Sequence, residues 1–340
     1  MIPGDGIGPE VMAEALPLLA WARDRGRDLE WEVLDLGAER FLRTGDILPE
    51  ADFLEIRDGA DAVLLGAVGD PRIPDGRHAE GILLRLRREL RLGVNWRPCR
   101  PLGDGLVPLK GVSAGDLDLE VFRENTEGAY CLEGESAPDR RVDRAVHTRP
   151  AVSALLREAF QRARSTGKPL ALAHKANVLK HGHGLWLEVF QDARREYPEV
   201  RAEALHADAL LFALVRQPQR FGVIAAENFI GDLLSDLLAA YLGGLGMAPS
   251  LSYAPGSPYR CTALAEPVHG SAPDIAGTGR ANPFGMLLSL GLLFGRWGWT
   301  AEAEAIQAAV ARCVESGPRP LELGGTARTS EAGAAVRALL

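Results

Sequence analysis

The fold is first indicated by an apolar run that ends in glycines, Asp61-Ala-Val-Leu-Leu-Gly-Ala-Val-Gly69. Such a run is typical of a buried parallel strand that is followed by a tight loop. Similar runs predict strands at 117–122, 169–173 and 221–225. Between them apolar residues recur at helical spacing, and the predicted helices cover residues 10–25, 82–92, 151–165, 184–196, 209–215, 232–242 and 300–315. This alternation predicts an α/β fold with a largely parallel sheet.

Two glycine positions mark the expected domain boundaries, Gly93 and the run that begins at Gly243. A chain of 340 residues is long enough for two domains. We expect a central domain, 93–242, and a second domain that the terminal segments 1–92 and 243–340 form together.

Composition excludes several classes of protein. The net charge of −8 argues against nucleic acid as a partner. No apolar run approaches the ~20 residues needed to span a membrane, and the first residues lack the basic and apolar regions of a secretory signal. No cysteines form a C-x-x-C pair, so we expect reduced thiols in a cytoplasmic protein, without a zinc site or a disulfide framework. The cysteines are Cys99, Cys131, Cys261 and Cys313.

Lysine is rare in this chain, in which only four of the 38 basic residues are lysines, and two of the four are Lys175 and Lys180. Lysine, unlike arginine, can lose its proton when it is desolvated. Chance accounts for this pair about as well as function does. The functional interpretation is a site that needs a titratable amine.

The turn Gly4-Asp-Gly-Ile-Gly-Pro9 partly matches the dinucleotide-binding fingerprint G-x-G-x-x-G. The third glycine is missing, a proline follows, and no clean strand precedes the turn. We therefore expect a turn that leads into a helix near Pro9, and not a Rossmann phosphate loop.

Two carboxylates, Asp232 and Asp236, stand four residues apart and therefore on one face of a helix. Like charges at that spacing destabilise a helix unless something neutralises them, and the surrounding residues are largely apolar. A divalent cation is the simplest neutralising partner, and carboxylate oxygens suit Mg²⁺ or Mn²⁺. Asp208 is the best candidate for a third ligand. A solvated helix face is the alternative.

Two arginines stand at positions where the backbone is stiff or buried, Arg97 in Asn-Trp-Arg-Pro and Arg123 at the end of an apolar strand. Guanidinium groups fixed in this way suit bidentate recognition of carboxylates, which predicts a diacid or triacid substrate. The Gly- and Pro-rich loop 266–277 carries His269, Ser271 and Asp274. Its donors and acceptors fit nucleotide binding, and a plain surface connection is the alternative.

Together these segments resemble the isocitrate and isopropylmalate dehydrogenase family, the metal-dependent β-decarboxylating dehydrogenases. The ordered matches cover nearly the whole chain: 4–11, 65–70, 83–98, 121–130, 174–179, 208–236, 266–283 and 323–325. The resemblance implies a two-domain α/β protomer that is not a Rossmann fold, and an enzyme of amino-acid biosynthesis that uses NAD and Mg²⁺ or Mn²⁺. It also implies a homodimer, or a tetramer, whose active sites are shared between subunits, acting on a small hydroxy diacid.

The resemblance assigns a role to each matching residue. Lys175 is tied to removal of the hydroxyl proton, and Tyr130 to protonation of the enol after CO₂ leaves. Lys175 and Asp208 are expected to come from the neighbouring subunit. The metal ligands are Asp208, Asp232 and Asp236. The substrate residues are Arg87, Arg97, Arg123, Asp208, Glu80, Leu83 and Leu84. The cofactor residues are Glu266, His269, Gly270, Ser271, Asp274 and Asn282, where Asp274 accepts ribose hydroxyls and repels the 2′-phosphate of NADP.

The substrate predicted first is 3-isopropylmalate, converted to 2-oxo-4-methylpentanoate and CO₂. In this family the helix ahead of Arg87 selects the substrate, and Leu83 and Leu84, one turn after Glu80, suit a branched alkyl group. Homoisocitrate, isocitrate, tartrate and D-malate remain alternatives, since the segments 124–128 and 174–175 read more like homoisocitrate and isocitrate enzymes. Rivals from other classes are a metal-dependent lyase or hydrolase and a silent regulatory paralogue. Retention of the catalytic and metal residues argues against the silent paralogue.

Three features depart from the family pattern. The first strand is expected to be several residues longer, so either the start is truncated or the edge of the sheet is shorter. Gly222 stands where an aspartate is common, and Ala226-Glu227 replaces a small polar pair. We expect these changes to loosen the site near the helix that carries Asp232.

Overall fold

The main feature of the computed structural model, which describes residues 1–340, is a nine-stranded sheet. The strands of the chain are β1 (Ile2–Gly4), β2 (Ala62–Ala67), β3 (Val94–Cys99), β4 (Leu119–Glu124), β5 (Gly128–Ser136), β6 (Arg141–Val146), β7 (Leu170–His174), β8 (Ala202–His206), β9 (Val223–Ala226), β10 (Pro249–Tyr253) and β11 (Ala263–Pro267). The helices are α1 (Gly8–Asp24), α2 (Ala38–Thr44), α3 (Glu50–Gly59), α4 (Arg77–Ala79), α5 (Arg85–Glu89), α6 (Arg149–Thr166), α7 (Gly182–Glu196), α8 (Ala207–Arg216), α9 (Asn228–Tyr241), α10 (Phe284–Arg296), α11 (Thr300–Ser316) and α12 (Thr329–Arg337).

The order of strands in the large sheet is β1-β2-β11-β10-β3-β4-β9-β7-β8. Pairing is parallel at both ends of the sheet and antiparallel in the middle, from β11 through β10 and β3 to β4. The α/β class and the mixed, largely parallel sheet are therefore confirmed. The terminal segments contribute β1, β2, β11 and β10 to one end of the sheet, and the segment 93–242 contributes the other five strands.

Burial on both faces of the sheet explains why several strands occur in the sequence as continuous apolar runs. Every residue of β4, β7 and β9 is buried, because helices cover both faces of the sheet and leave no side that faces solvent. The long helix α6 begins at an N-cap, Thr148, whose hydroxyl accepts from the amide of Ala151, and ends at Gly167 in the left-handed conformation (φ 68°).

One detail at the start of the chain differs from the sequence prediction. A strand does precede the turn at 4–9, since β1 pairs in parallel with β2 through Ile2 and Leu65. The strand β1 has only three residues, too few for a recognisable pattern in the sequence. The turn is then held by a buried carboxylate: Asp5 accepts hydrogen bonds from the amides of Ala38 (2.6 Å) and Gly69 (2.8 Å). A carboxylate at this place repels phosphate, in agreement with the prediction that the turn is not a phosphate loop.

The strands β5 and β6 form a separate two-stranded sheet that projects from the rest and is mostly exposed. All four cysteines are free thiols. None of the helices has the length and apolar character needed to cross a membrane.

Candidate active site

The helix α9 carries two of the three predicted metal ligands, Asp232 and Asp236. Its N-terminus is capped by Glu227, whose carboxylate accepts from the amides of Phe229 (2.9 Å) and Ile230 (2.7 Å). Glu227 therefore stabilises the start of this helix, and the looser site that the sequence suggested here is not what the structure has. A side chain at Gly231 would come within 2.7 Å of Cγ of Arg123, so the glycine permits close contact between α9 and β4.

Three other predicted residues converge on Asp232. Arg123 donates from Nη1 to Oδ1 of Asp232, Arg97 lies 3.4 Å from the same oxygen, and the hydroxyl of Tyr130 donates to Oδ2 at 2.8 Å. Both arginines are buried, and the guanidinium of Arg123 also lies over the ring of Tyr130. The structure thus brings together side chains from β3, β4, β5 and α9.

The electrostatics of this group are set by burial and by the arginines. Burial acts to raise the pKa of Asp232, but the charges of Arg123 and Arg97 outweigh it and hold that pKa below its usual range. Burial, followed by the charge of Arg123, lowers the pKa of Arg97 to about 10. Burial and the nearby charge of Asp232 raise the pKa of the Tyr130 phenol. Tyr130 is therefore protonated at neutral pH and can act as an acid.

Asp236 differs from Asp232 in having no hydrogen-bond partner. Its side chain is 56% exposed and its nearest cationic atom, Nη1 of Arg97, is 4.0 Å away. Burial, followed by the charge of Asp232, raises the pKa of Asp236. The sequence predicted a cation as the simplest partner of this pair of acids, with a solvated helix face as the alternative. Within the chain, two arginines neutralise Asp232, whereas Asp236 has no such partner.

Arg87 pairs with a predicted cofactor residue, and its charge also acts on Asp232, Arg97, Arg123 and Tyr130. Its Nη2 donates to Oε1 of Glu266 at 2.5 Å, and both side chains are buried. The Nε of Arg87 is buried without a partner. A predicted substrate residue of α5 is thereby connected directly to the end of β11, where the loop 268–283 begins.

The segment predicted to select the substrate adopts an unusual helix. Residues Glu80–Leu84 form one turn of π-helix between α4 and α5, where the sequence pattern had predicted regular helix. Such turns are rare and occur frequently at functional sites. Glu80 is exposed, and Leu83 and Leu84 are partly buried. A side chain at Gly81 would meet Cγ2 of Ile47 at 2.6 Å, so the packing against Ile47 requires glycine.

Lys175 and Asp208 form a pair of their own. Nζ of Lys175 donates to Oδ1 of Asp208 at 2.7 Å, and this hydrogen bond lowers the pKa of Asp208. The carboxylate of Asp208 is 70% exposed. Within one chain no three acidic, histidine or cysteine side chains lie close enough together to hold a metal ion. One chain therefore does not bring Asp208 to the two acids of α9.

The loop predicted to bind the cofactor packs against the first turn of the chain. The amide of Ile7 donates to the carbonyl of Ser271 at 2.8 Å. His269 is buried, its Nδ1 lies 2.9 Å from the carbonyl of Gly270, and its Nε2 has no partner. Asp274 is exposed. The amide of Asn282 is already engaged, because its Nδ2 donates to Oε2 of Glu322 at 2.9 Å.

Sequence reasoning missed several residues that hold the site in place. Asn228 accepts from Nε and Nη2 of Arg123 at 3.0 and 2.8 Å, and the fully buried Asn95 accepts from Nε of Arg97 at 2.7 Å. His78, fully buried beside the π-turn, lies 3.1 Å from Oδ2 of Asp5. Asn95 belongs to the motif Asn-Trp-Arg-Pro, from which the sequence analysis selected only Arg97. A polar side chain in a largely buried strand was the signal that could have identified it.

Comparison with known proteins places this geometry in a family. A sequence profile described as isocitrate/isopropylmalate dehydrogenase matches residues 1–336. The chain belongs to the isocitrate/isopropylmalate dehydrogenase family. It is 43% identical to a 3-isopropylmalate dehydrogenase of Streptomyces griseus, over 91% of this chain and 90% of that protein. It is 42% identical to another of Corynebacterium jeikeium, over 98% of this chain and 96% of that protein.

The comparison with a solved structure agrees with the comparison of sequences. An isocitrate dehydrogenase from Methylococcus capsulatus superposes with a TM-score of 0.88 at 31% identity, covering 99% of this chain and 97% of that chain. The predicted fold, distinct from a Rossmann fold, is thereby confirmed. The prediction that the chain is a decarboxylating dehydrogenase, an oxidoreductase, is likewise confirmed by its family.

Proposed function

We propose that the protein catalyses the NAD-dependent oxidative decarboxylation of 3-isopropylmalate to 2-oxo-4-methylpentanoate. The observation that carries this proposal is the convergence of Arg97, Arg123 and Tyr130 on Asp232. Two buried guanidinium groups provide the charge that a dicarboxylate needs. A protonated phenol next to them provides an acid for carbon. A lyase or hydrolase acting on the same diacid would not reduce NAD, which separates these classes by experiment.

The chain's own residues account for each proton in the reaction. Lys175 takes the proton of the C2 hydroxyl, and bound NAD would accept the hydride from C2. Arg97 and Arg123 hold the carboxylates as the bond from C3 to the departing carboxyl group breaks and releases CO₂. The electron pair left at C3 is then protonated by Tyr130. A divalent cation held by Asp208, Asp232 and Asp236 would supply Lewis acidity to the substrate.

The donor set of α9 fits a cation of this kind. Asp236 has no partner, and carboxylate oxygens are the ligands that Mg²⁺ and Mn²⁺ prefer. We propose Asp208, Asp232 and Asp236 as the ligands, with Asp208 supplied by a second copy of the chain. Mg²⁺ and Mn²⁺ remain equal candidates.

The cofactor proposed is NAD, bound along the loop 268–283 in the domain formed by 1–92 and 243–340. The buried Nε2 of His269 is an orphaned polar atom that a ligand can satisfy. The exposed carboxylate of Asp274 suits ribose hydroxyls and opposes a 2′-phosphate. Glu266, Gly270, Ser271 and Asn282 complete the proposed set. The four free thiols accord with a cytoplasmic enzyme.

A homodimer is proposed because one face of the central segment is apolar and exposed. This face includes Phe212 and Val215 of α8, Phe229 and Leu233 of α9, and Val178 beside Lys175, with exposures from 49% to 70%. Large exposed apolar side chains that follow Asp208 at helical spacing on α8 and precede Asp236 at helical spacing on α9 favour an interface with another protein. Because the face borders Lys175 and Asp208 as well as the acids of α9, a symmetric contact can join the two groups across subunits.

A mixing experiment tests the shared site. Lys175→Met and Asp232→Asn are each expected to be inactive. If Lys175 acts in the partner's site, refolding the two variants together at equal ratio restores about a quarter of wild-type activity, since half the dimers are mixed and one site in each is intact. Refolding either variant alone is the control. No restoration in the mixture would remove the shared site from the proposal.

The substrate is proposed from the apolar pair Leu83 and Leu84, whose partial burial leaves surface for a branched alkyl group, and from the relatives named above. A panel of 3-isopropylmalate, homoisocitrate, isocitrate, D-malate and tartrate, assayed with NAD and Mn²⁺ by absorbance at 340 nm, tests it. The highest kcat/KM is expected for 3-isopropylmalate. Leu83→Ser should lower kcat/KM for this acid by about 10-fold or more, as expected when apolar contacts are lost.

A further inference from the structure

Two side-chain hydrogen bonds hold the loop that presents Lys175, and one of them, from the amide of Ala176 to Nδ1 of His174 (3.2 Å), lies just after the lysine. The backbone amide of Lys175 donates to Nδ1 of His183 at 3.0 Å. The carbonyl of Lys175 accepts from the amides of Val178 (3.0 Å) and Leu179 (2.9 Å), and the amide of His183 donates to the carbonyl of Leu179 (3.1 Å). These contacts form one closed turn between β7 and α7. His183 is the side chain that accepts from the amide of Lys175 itself.

The chemistry of this contact requires a neutral imidazole. A backbone amide can only donate, so Nδ1 of His183 must carry a lone pair. Burial, followed by the neighbouring His147 and His174, lowers the pKa of His183 to about 4. His183 is therefore neutral near pH 7, with its proton on Nε2, and it stays an acceptor for Lys175.

The ring of His183 is itself held in place by a second histidine, His147. His147 packs edge-on against it with ring centroids 5.6 Å apart, and Nε1 of Trp186 donates to Nδ1 of His147 at 3.2 Å. A Cβ at Gly182 would lie 2.5 Å from Cδ2 of His147, so the start of α7 packs tightly against this ring. With His183 only 2% exposed, its Nδ1 has one available orientation.

We propose that His183 is a positioning residue, which sets the direction of the Lys175 side chain by accepting from its backbone amide. The inference rests on the proposed function, because it gives Lys175 a role in proton transfer. Without the acceptor, the peptide that carries Lys175 can rotate to find a partner in solvent. Displacement of a catalytic group by about 1 Å costs on the order of 100-fold in rate.

The test compares two substitutions of nearly equal size. His183→Leu removes the acceptor, and we expect kcat to fall about 10- to 100-fold, with KM for substrate and for NAD little changed. His183→Asn places Oδ1 where Nδ1 stood, and it should return kcat to within a few-fold of wild type. His181→Leu, at an exposed histidine of the same loop, is the matched control and should leave kcat unchanged.

The outcomes separate this inference from the proposed function. If Lys175→Met keeps normal turnover, the proposed function fails. If Lys175→Met is inactive but His183→Leu keeps wild-type kcat, only the inference fails. Equal losses of kcat in the Leu and Asn variants, with matching falls in melting temperature, would also overturn it, because they would show a packing role. A loss in the Leu variant that the Asn variant rescues, at equal melting temperatures, establishes it.

Discussion

The region around Asp232 and the region around Lys175 carry the same kind of chemistry in opposite settings. Asp232 is surrounded within its own chain by two buried arginines and a tyrosine, from strands far away in sequence. Lys175 contacts one exposed carboxylate, Asp208, and stands at the border of an apolar surface. The ion pairs of the first region all form within one chain, and on our proposal the two regions meet across subunits to complete the site.

This difference separates stability from turnover. In the buried region a charge also holds the protein together, because its removal leaves other buried charges uncompensated. In the region of Lys175 the ion pair of one chain contributes little to folding, because its carboxylate, Asp208, is 70% exposed to water and salt. The same type of substitution should therefore have different effects in the two regions.

The largest expected effect is on turnover at the exposed region. Lys175→Met should lower kcat by about 10²- to 10⁴-fold, the range for loss of a positioned proton-transfer group. Its melting temperature should stay close to that of wild type, because the Lys175–Asp208 pair is exposed. Steady-state kinetics and calorimetry on one preparation measure both. A large fall in melting temperature would contradict the proposal that Lys175 contributes to turnover and not to stability.

The next effect concerns stability at the buried region. Asp232→Asn should lower the free energy of unfolding by about 1–3 kcal/mol, because Arg97 and Arg123 lose their carboxylate partner. Urea denaturation without metal or substrate measures this change. Asp208→Asn is the matched control, since it removes an exposed carboxylate of the same type. Equal stability of the two variants would show that the arginines do not depend on Asp232.

Metal binding can be measured by its effect on stability, without an activity assay, and this tests the role of the acids of α9. Mn²⁺ at 100 times its dissociation constant should stabilise the folded protein by about 2.7 kcal/mol. Asp236→Asn removes the unpartnered ligand and should abolish most of this shift. Calorimetric scans with and without Mn²⁺ measure it, and an undiminished shift in the variant would place the metal elsewhere.

The smallest effect is on the pH dependence of stability. The pKa of His183 is lowered from 6.5 to about 4 in the folded protein, so the unfolded state binds the extra proton between these values. Stability from this group is present above pH 6.5 and is lost as the pH falls toward 4, at no more than about 1.4 kcal/mol per pH unit. His183→Asn should flatten the melting temperature between pH 7 and 5. An unchanged slope would show that other histidines carry the acid sensitivity.

Much of the fold was predictable, because its strands and helices have clear local patterns. The apolar run at 61–69 became β2, and the predicted helix 151–165 became α6 with one or two residues added at each end. The helix α10 was not predicted. It is apolar around its whole circumference, since nine of its residues are buried, and so it has no helical periodicity to read. The strands β10 and β11 have no long apolar runs, and tertiary pairing with β3 and β2 defines them.

The sequence alone determined the α/β class, the family, and the identity of the acids, arginines, lysine and tyrosine that carry the proposed chemistry. Only the tertiary structure decided which of them meet: Arg123 reaches Asp232 across 109 residues and Arg97 across 135. It also decided that Glu80–Leu84 forms a π-turn and that His183 holds Lys175. The physical reason is that propensity and periodicity act over a few residues, whereas the partner of a buried charge is chosen by how distant segments pack.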